Sequence, residues 1–190
     1  MKVLVIPEDP ALDQYILKPV VERIFADLGR RARIDVLANP RLRGVAQALD
    51  ATVIAGVVDM YRMIDLFLLI VDRDSVETRA GVAAAREQDH PDRLIACLAI
   101  EEIEVWMLAI HHEAIPLPWG EVRSERNVKE RIARPFLAER APRYAVGVGR
   151  AWAMRDLGAQ WRGVLARCPE LEDLKQRIGG WMDGRATLRQ

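Results

Sequence analysis

The sequence predicts an α/β protein with a mostly parallel sheet of four strands, or slightly more, flanked by helices and followed by a helical C-terminal appendage. Three observations predict it. Short aliphatic and β-branched runs alternate with amphipathic stretches over residues 1–115, and each change of apolar period marks a strand followed by a helix. Strand and helix alternate throughout, and parallel neighbours need crossover connections that helices supply. Beyond Pro116 and Pro118 the alternation gives way to helical patterns alone. The expected division is therefore a core over residues 1–115 and a helical extension over residues 116–190 packed on it.

Residues 2–6 are rich in β-branched residues and stop at Pro7, the pattern of a first buried strand. Leu12, Ile16, Val20, Ile24 and Leu28 recur every four positions and end at Gly29, giving one apolar stripe on a helix. Residues 33–38 read as a second strand broken by Asn39-Pro40. Residues 42–63 read as helical, weakened by Gly44 and Gly56. The unbroken hydrophobicity of residues 65–71 predicts a central strand covered on both faces. A helix over residues 75–88 follows, with Asp74 or Ser75 as its cap. Residues 94–100 form a fourth strand, and Ile103, Trp106, Met107 and Ile110 mark a helical face over residues 101–111. Helices over residues 126–139, 144–166 and 170–182 make up the extension, with a tail that frays from Gly184 onward.

Composition bounds the function. The chain has 190 residues, 51% of them hydrophobic and 29% charged, enough for one domain with a real core. Lys+Arg and Asp+Glu both total 28, so a site for nucleic acid must be a local patch rather than a general positive field. Cys97 and Cys168 show no metal or redox spacing, which fits a reducing cytoplasm. No run is long enough to span a membrane, and the opening residues do not have the form of a signal peptide.

In a parallel sheet the carboxyl ends of all strands lie on one edge, where ligands bind. Glu8 follows the first strand, Asp72 and Asp74 follow the third, and Glu101, Glu102 and Glu104 follow the fourth. Three strands thus deliver acids to one edge. Asp72 and Asp74 are two apart, so an extended chain points both to the same side, with Arg73 opposite. Grouped carboxylates repel one another and call for a cation. Mg²⁺, or Mn²⁺ in its place, suits oxygen ligands of this kind. Taken one at a time, acids at strand ends are commonly solvated turn residues or helix caps; it is their joint placement that points to a metal.

The runs VLVIPED and LFLLIVDRDS, an acid directly after the first strand and Asp-x-Asp after a later one, resemble the TOPRIM domain of topoisomerases, primases and OLD-type nucleases. AIEEIEVWMLA and RCPELEDLKQRI further resemble stand-alone bacterial TOPRIM-like proteins often associated with defence loci. The resemblance implies a TOPRIM/Rossmann-like fold and a Mg²⁺-dependent nuclease. Glu8 would be the first-strand glutamate, serving as metal ligand or general acid/base. Asp72 and Asp74 would be the metal pair, and Glu104 the later glutamate. Asp9 stands where the family has glycine, with Pro10 next, which stiffens the loop and makes Asp9 a further candidate for the site. Lys129 or an arginine of the extension would neutralise the scissile phosphate. The resemblance also implies nucleic acid, DNA in particular, as substrate and a separate ATPase as partner; a homo-oligomer is open as an assembly, and the sequence does not fix it.

Two readings compete. One is a non-catalytic TOPRIM-fold subunit or nucleic-acid-binding module with a structural or regulatory ion. The other is a receiver-like protein binding Mg²⁺ for phosphate signalling, which lacks the expected lysine after the last strand. Other features carry less. His90, His111 and His112 lack zinc spacing, although His111 shares a helical face with Glu104. The five tryptophans read as core or interface. Gly147-Val148-Gly149-Arg150 follows no strand and so does not qualify as a nucleotide loop.

Overall fold

A computed structural model of the chain describes residues 1–187. Strands β1 (Lys2–Ile6), β2 (Arg33–Val36), β3 (Leu66–Asp72) and β4 (Leu94–Ala99) form one sheet in the order β2-β1-β3-β4, with every pairing parallel. The helices are α1 (Pro10–Asp27), α2 (Val45–Ala48), α3 (Ala51–Met60), α4 (Thr78–Asp89), α5 (Glu104–Ile110), α6 (Trp119–Ser124), α7 (Arg134–Arg140), α8 (Arg150–Ala153), α9 (Leu157–Arg167) and α10 (Pro169–Thr187). The predicted α/β class is what the structure contains. No helix among the described residues is long and apolar enough to cross a membrane.

β3 is the inner strand that its sequence demands: Leu66 to Val71 are all buried, and it pairs with β1 on one side and β4 on the other. Alternate residues point to opposite faces of a strand, so each strand feeds two cores. Val3, Val5, Leu66, Leu68 and Ile70 face α1, α5, α9 and α10. Leu4, Ile6, Phe67, Leu69 and Val71 face α2, α3 and α4. From β1 the chain moves outward to β2, then returns past β1 to β3. This reversal opens a crevice at the carboxyl ends of β1 and β3, where an open α/β sheet binds its ligands.

Several boundaries differ from expectation for local reasons. The helix expected over residues 42–63 is two, α2 and α3, because Asp50 caps the second by accepting the Val53 amide at 2.9 Å. The helix expected from residue 75 begins at Thr78, since Asp74 and Ser75 have φ of 47° and 54°, outside helical space. The helix expected over residues 101–111 is the shorter α5, Glu104–Ile110. In the extension a π turn, Lys129–Ala133, leads into α7. Residues 141–149 form a loop, although a helix was expected from residue 144, and α6 lies where none was expected. The tail expected to fray from Gly184 stays helical through Thr187, and residues 188–190 lie outside the described residues.

The extension completes the sheet. Trp161, Val164, Leu171, Leu174 and Ile178 belong to the same buried cluster as Val3, Ile16 and Leu68. Polar clasps reinforce the contact: Arg177 pairs with Glu87 and donates to the Ala96 carbonyl, and Lys175 reaches Asp27 at 3.1 Å. Because Leu174 is fully buried, Leu174→Ala should lower stability by about 2–5 kcal/mol in urea unfolding. A fragment of residues 1–115 should lose cooperative unfolding altogether. A cooperative transition in that fragment would show that the extension is dispensable.

Candidate metal centre

Three strand ends meet at the crevice. Glu8 lies just past β1, Asp72 closes β3, and Glu101 to Glu104 lead from β4 into α5. Asp72 joins them. Its backbone N–H donates to Glu8 Oε1 at 2.8 Å, and its own Oδ1 accepts the Ile103 N–H at 2.8 Å. The π turn approaches from the other side, where the Lys129 N–H donates to Glu102 Oε2 at 2.5 Å.

Asp74 reaches the same place by a different route from the one expected. The strand ends at Asp72, so strand alternation does not align the two aspartates. Instead the chain turns back through left-handed Asp74 and Ser75, and aspartate is among the few residues that tolerate that region. Arg79 holds the turn by donating to the Asp72 carbonyl at 2.7 Å and to Asp74 Oδ2 at 2.6 Å. Glu101 holds it from beneath, accepting from Arg73 and from Ser75 Oγ. Burial opposes the charge of Glu101, but the Arg73 and Ser75 hydrogen bonds outweigh it and keep the carboxyl below its usual range.

Among the described residues, Asp72, Asp74 and Glu102 each place a carboxylate oxygen within 4.8 Å of the others. A divalent cation could bind there. Glu8 lies against this group through the Asp72 amide, while Glu104 is turned inward. Glu104 is 1% exposed, accepts from Arg150 Nη2 at 2.6 Å, and lies 4.0 Å from Lys129 Nζ. A guanidinium already neutralises it. Asp9, the other candidate, caps α1: its Oδ1 accepts the Ala11 N–H at 2.9 Å.

The electrostatics favour a cation. Burial, then repulsion from Glu8 and Glu104, pushes the Asp72 carboxyl well above its usual range. Glu8 is raised by burial and by Asp74, against the lowering effect of the Asp72 amide. Glu102 is raised by burial and by Glu104 and Asp74, against the lowering effect of the Lys129 amide. Asp13, buried in the first turn of α1, is raised to about 7, chiefly by burial and partly by Glu104.

No family model, curated protein or solved structure matches this chain. What the site can do therefore follows from its own geometry.

Three oxygen donors with unfavourable mutual charge fit a hard divalent ion, which accepts carboxylates and retains several waters. Sequence reasoning brought Asp72 and Asp74 to this edge but placed Glu102 less securely and missed Asp13, Arg79 and Arg150. The available signal for Asp13 was an acid in the first turn of α1, where its Oδ2 accepts the Asp9 N–H at 3.0 Å. His111 turns away: its Nε2 is 2.8 Å from the Ala153 carbonyl and its ring stacks on Trp152. Both cysteines are buried, and burial pushes the Cys97 thiol up to about 12.

The raised carboxyls set a sign for pH dependence. Between its ordinary value of 3.8 and about 7, Asp13 binds more protons folded than unfolded, so metal-free stability falls as pH rises through that window. Glu8, Asp72 and Glu102 act in the same direction. Asp13→Asn keeps an oxygen for the Asp9 amide and removes one titration. Its stability, measured by urea unfolding across that window, should fall less steeply than that of the parent. Identical slopes would contradict the assignment. Glu104→Ala should cost about 3–5 kcal/mol, because it strands the buried Arg150 charge.

Proposed function

We propose that the chain is a Mg²⁺- or Mn²⁺-dependent nuclease of the TOPRIM type that hydrolyses or nicks nucleic acid, DNA in particular. The observation that carries this reading is the convergence of Asp72, Asp74 and Glu102 oxygens within 4.8 Å at the crevice between β1 and β3. When bound, a divalent cation would polarise the phosphodiester and lower the pKa of a coordinated water.

The chain's own residues divide the remaining work. Asp72, Asp74 and Glu102 hold the ion, and Arg79 fixes Asp74 against the end of β3. Glu8, with its raised carboxyl and its place beside Asp72, suits proton transfer to or from the reacting oxygens. Lys129 stands beside the acids with a partly exposed ammonium and is the residue to meet the scissile phosphate. Glu104 acts from behind, orienting Lys129 and Arg150. An ATPase partner and a role in bacterial defence rest on the resemblance of the sequence motifs and form part of the proposal on that footing.

Supercoiled plasmid with Mg²⁺ or Mn²⁺ tests the reading. Nicking should fall by about 100-fold or more in Asp72→Asn, Asp74→Asn and Glu102→Gln, as expected when groups that stabilise transition-state charge are removed. Calorimetric Mn²⁺ titration should lose its heat in the same variants. Cleavage that persists in all three variants sinks the mechanism. Mn²⁺ binding without cleavage would instead identify a non-catalytic ion-binding module.

A further inference from the structure

Beside the acidic crevice, α7 and the loop at 141–149 enclose a cavity of about 500 Å³. Its charged wall consists of Arg134, Arg143 and Arg150, and no carboxylate lines it. The remaining wall is apolar, including Leu12, Leu137 and Val148. The larger hollow at the opposite edge of the sheet, about 600 Å³, differs because Asp65 and Asp92 offset its arginines. Arg134 pairs with Glu130 and Arg150 with Glu104, both outside the lining, which leaves Arg143 as the wall's arginine without a carboxylate partner among the described residues. A pocket with an apolar body and guanidinium groups on its wall suits an anion carrying a flat apolar group.

Arg150 fixes the inner wall of the pocket. It is 2% exposed, donates from Nη2 to Glu104 and from Nη1 to the Gly147 carbonyl, and its buried Nε has no partner. Arg150 thus closes the inner end of the pocket, while Arg143, on the loop, and Arg134, at the start of α7, are the guanidinium groups an anion entering the cavity would meet.

The loop is held in shape. Gly147, Val148 and Gly149 all have positive φ, 64°, 54° and 89°. A Cβ on Gly149 would lie 2.7 Å from that of Ala141, and a Cβ on Gly147 would run into the Tyr15 ring. Only glycine lets the loop lie this close to α1 and α7. Val148 is 69% exposed in a backbone region that β-branched residues rarely enter.

The pocket connects directly to the acids. Arg150 holds Glu104, Glu104 lies 4.0 Å from Lys129 Nζ, and the Lys129 amide holds Glu102. We infer that this cavity is a nucleotide subsite in which the arginines take a phosphate and the apolar wall takes the base. The anionic character follows from the pocket itself; the choice of a nucleotide rests on the nuclease reading. Its source is either a free nucleotide or one unit of the strand bound at the acidic crevice.

Calorimetric titration in EDTA, with a nucleoside 5′-monophosphate and with a short single-stranded oligonucleotide, tests the inference without any metal. Both probes should bind the parent chain. Arg143→Ala should weaken binding about tenfold, the loss of one charge-assisted contact. Ala138→Trp, at an exposed position lining the cavity, should abolish it by filling the space. Urea unfolding of both variants should match the parent, separating lost binding from lost fold. An oligonucleotide that binds more tightly than the monophosphate and responds to both variants identifies the strand as ligand; equal affinities identify a free nucleotide. No heat from either probe, or affinities unchanged in both variants, overturns the subsite. Because Mn²⁺ titration reads the acidic cluster separately, failure here is distinguishable from failure of the nuclease reading.

Discussion

The two hydrogen bonds of Asp72 are the constraint on which the rest of the edge depends. Through its amide it fixes Glu8, and through its carboxylate it fixes the Ile103 amide. One residue thus ties the chain leaving β1 to the chain leaving β4. Without these bonds the ends of the three strands would be independent loops, and the acids they carry would move apart under mutual repulsion. The apolar length of β3 keeps Asp72 in place, because Leu66 to Val71 are all buried and a slip in register would draw Asp65 or Asp72 into the apolar interior.

The edge holds charge in an unusual setting. Asp13, Glu101, Glu104 and Arg150 are the buried charged residues among those described, and all lie around the crevice. Glu101 and Glu104 have cationic partners in Arg73 and Arg150. Asp13 has an amide partner and Asp72 an amide and three acidic neighbours, and these two carry strongly raised carboxyls. The pattern separates acids neutralised by a guanidinium, Glu101 and Glu104, from acids held by backbone amides, Asp13 and Asp72. It accords with the general tendency of functional sites to gather perturbed titratable groups.

The helical extension serves two ends with one set of contacts. Leu171, Leu174 and Ile178 cover a face of the sheet that the first 115 residues leave open. The same stretch of chain brings Lys129 and Arg150 to the acids. Stability and site assembly are therefore coupled. The glycines at 147 and 149 make the coupling possible, because they let the loop pack against α1 and α7 closely enough to direct Arg150 inward.

The sequence by itself determined the sheet, the alternation with helices and the arrival of Glu8, Asp72 and Asp74 at one edge. Those features follow from local hydrophobic period and from the rule that parallel strands end together. It also singled out Lys129, but gave no reason for choosing Glu102 over Glu104. Both lie within a few residues of β4, and only the packing of α5 decides which faces the crevice and which faces Arg150. The Asp72 and Asp74 pair was legible for a reason that does not operate: the aspartates meet through a left-handed turn clamped by Arg79, not through strand alternation. Arg150 was hidden because its partner is 46 residues away. Periodicity registers contacts within one element, whereas a buried ion pair between distant elements exists only after the core has closed around it.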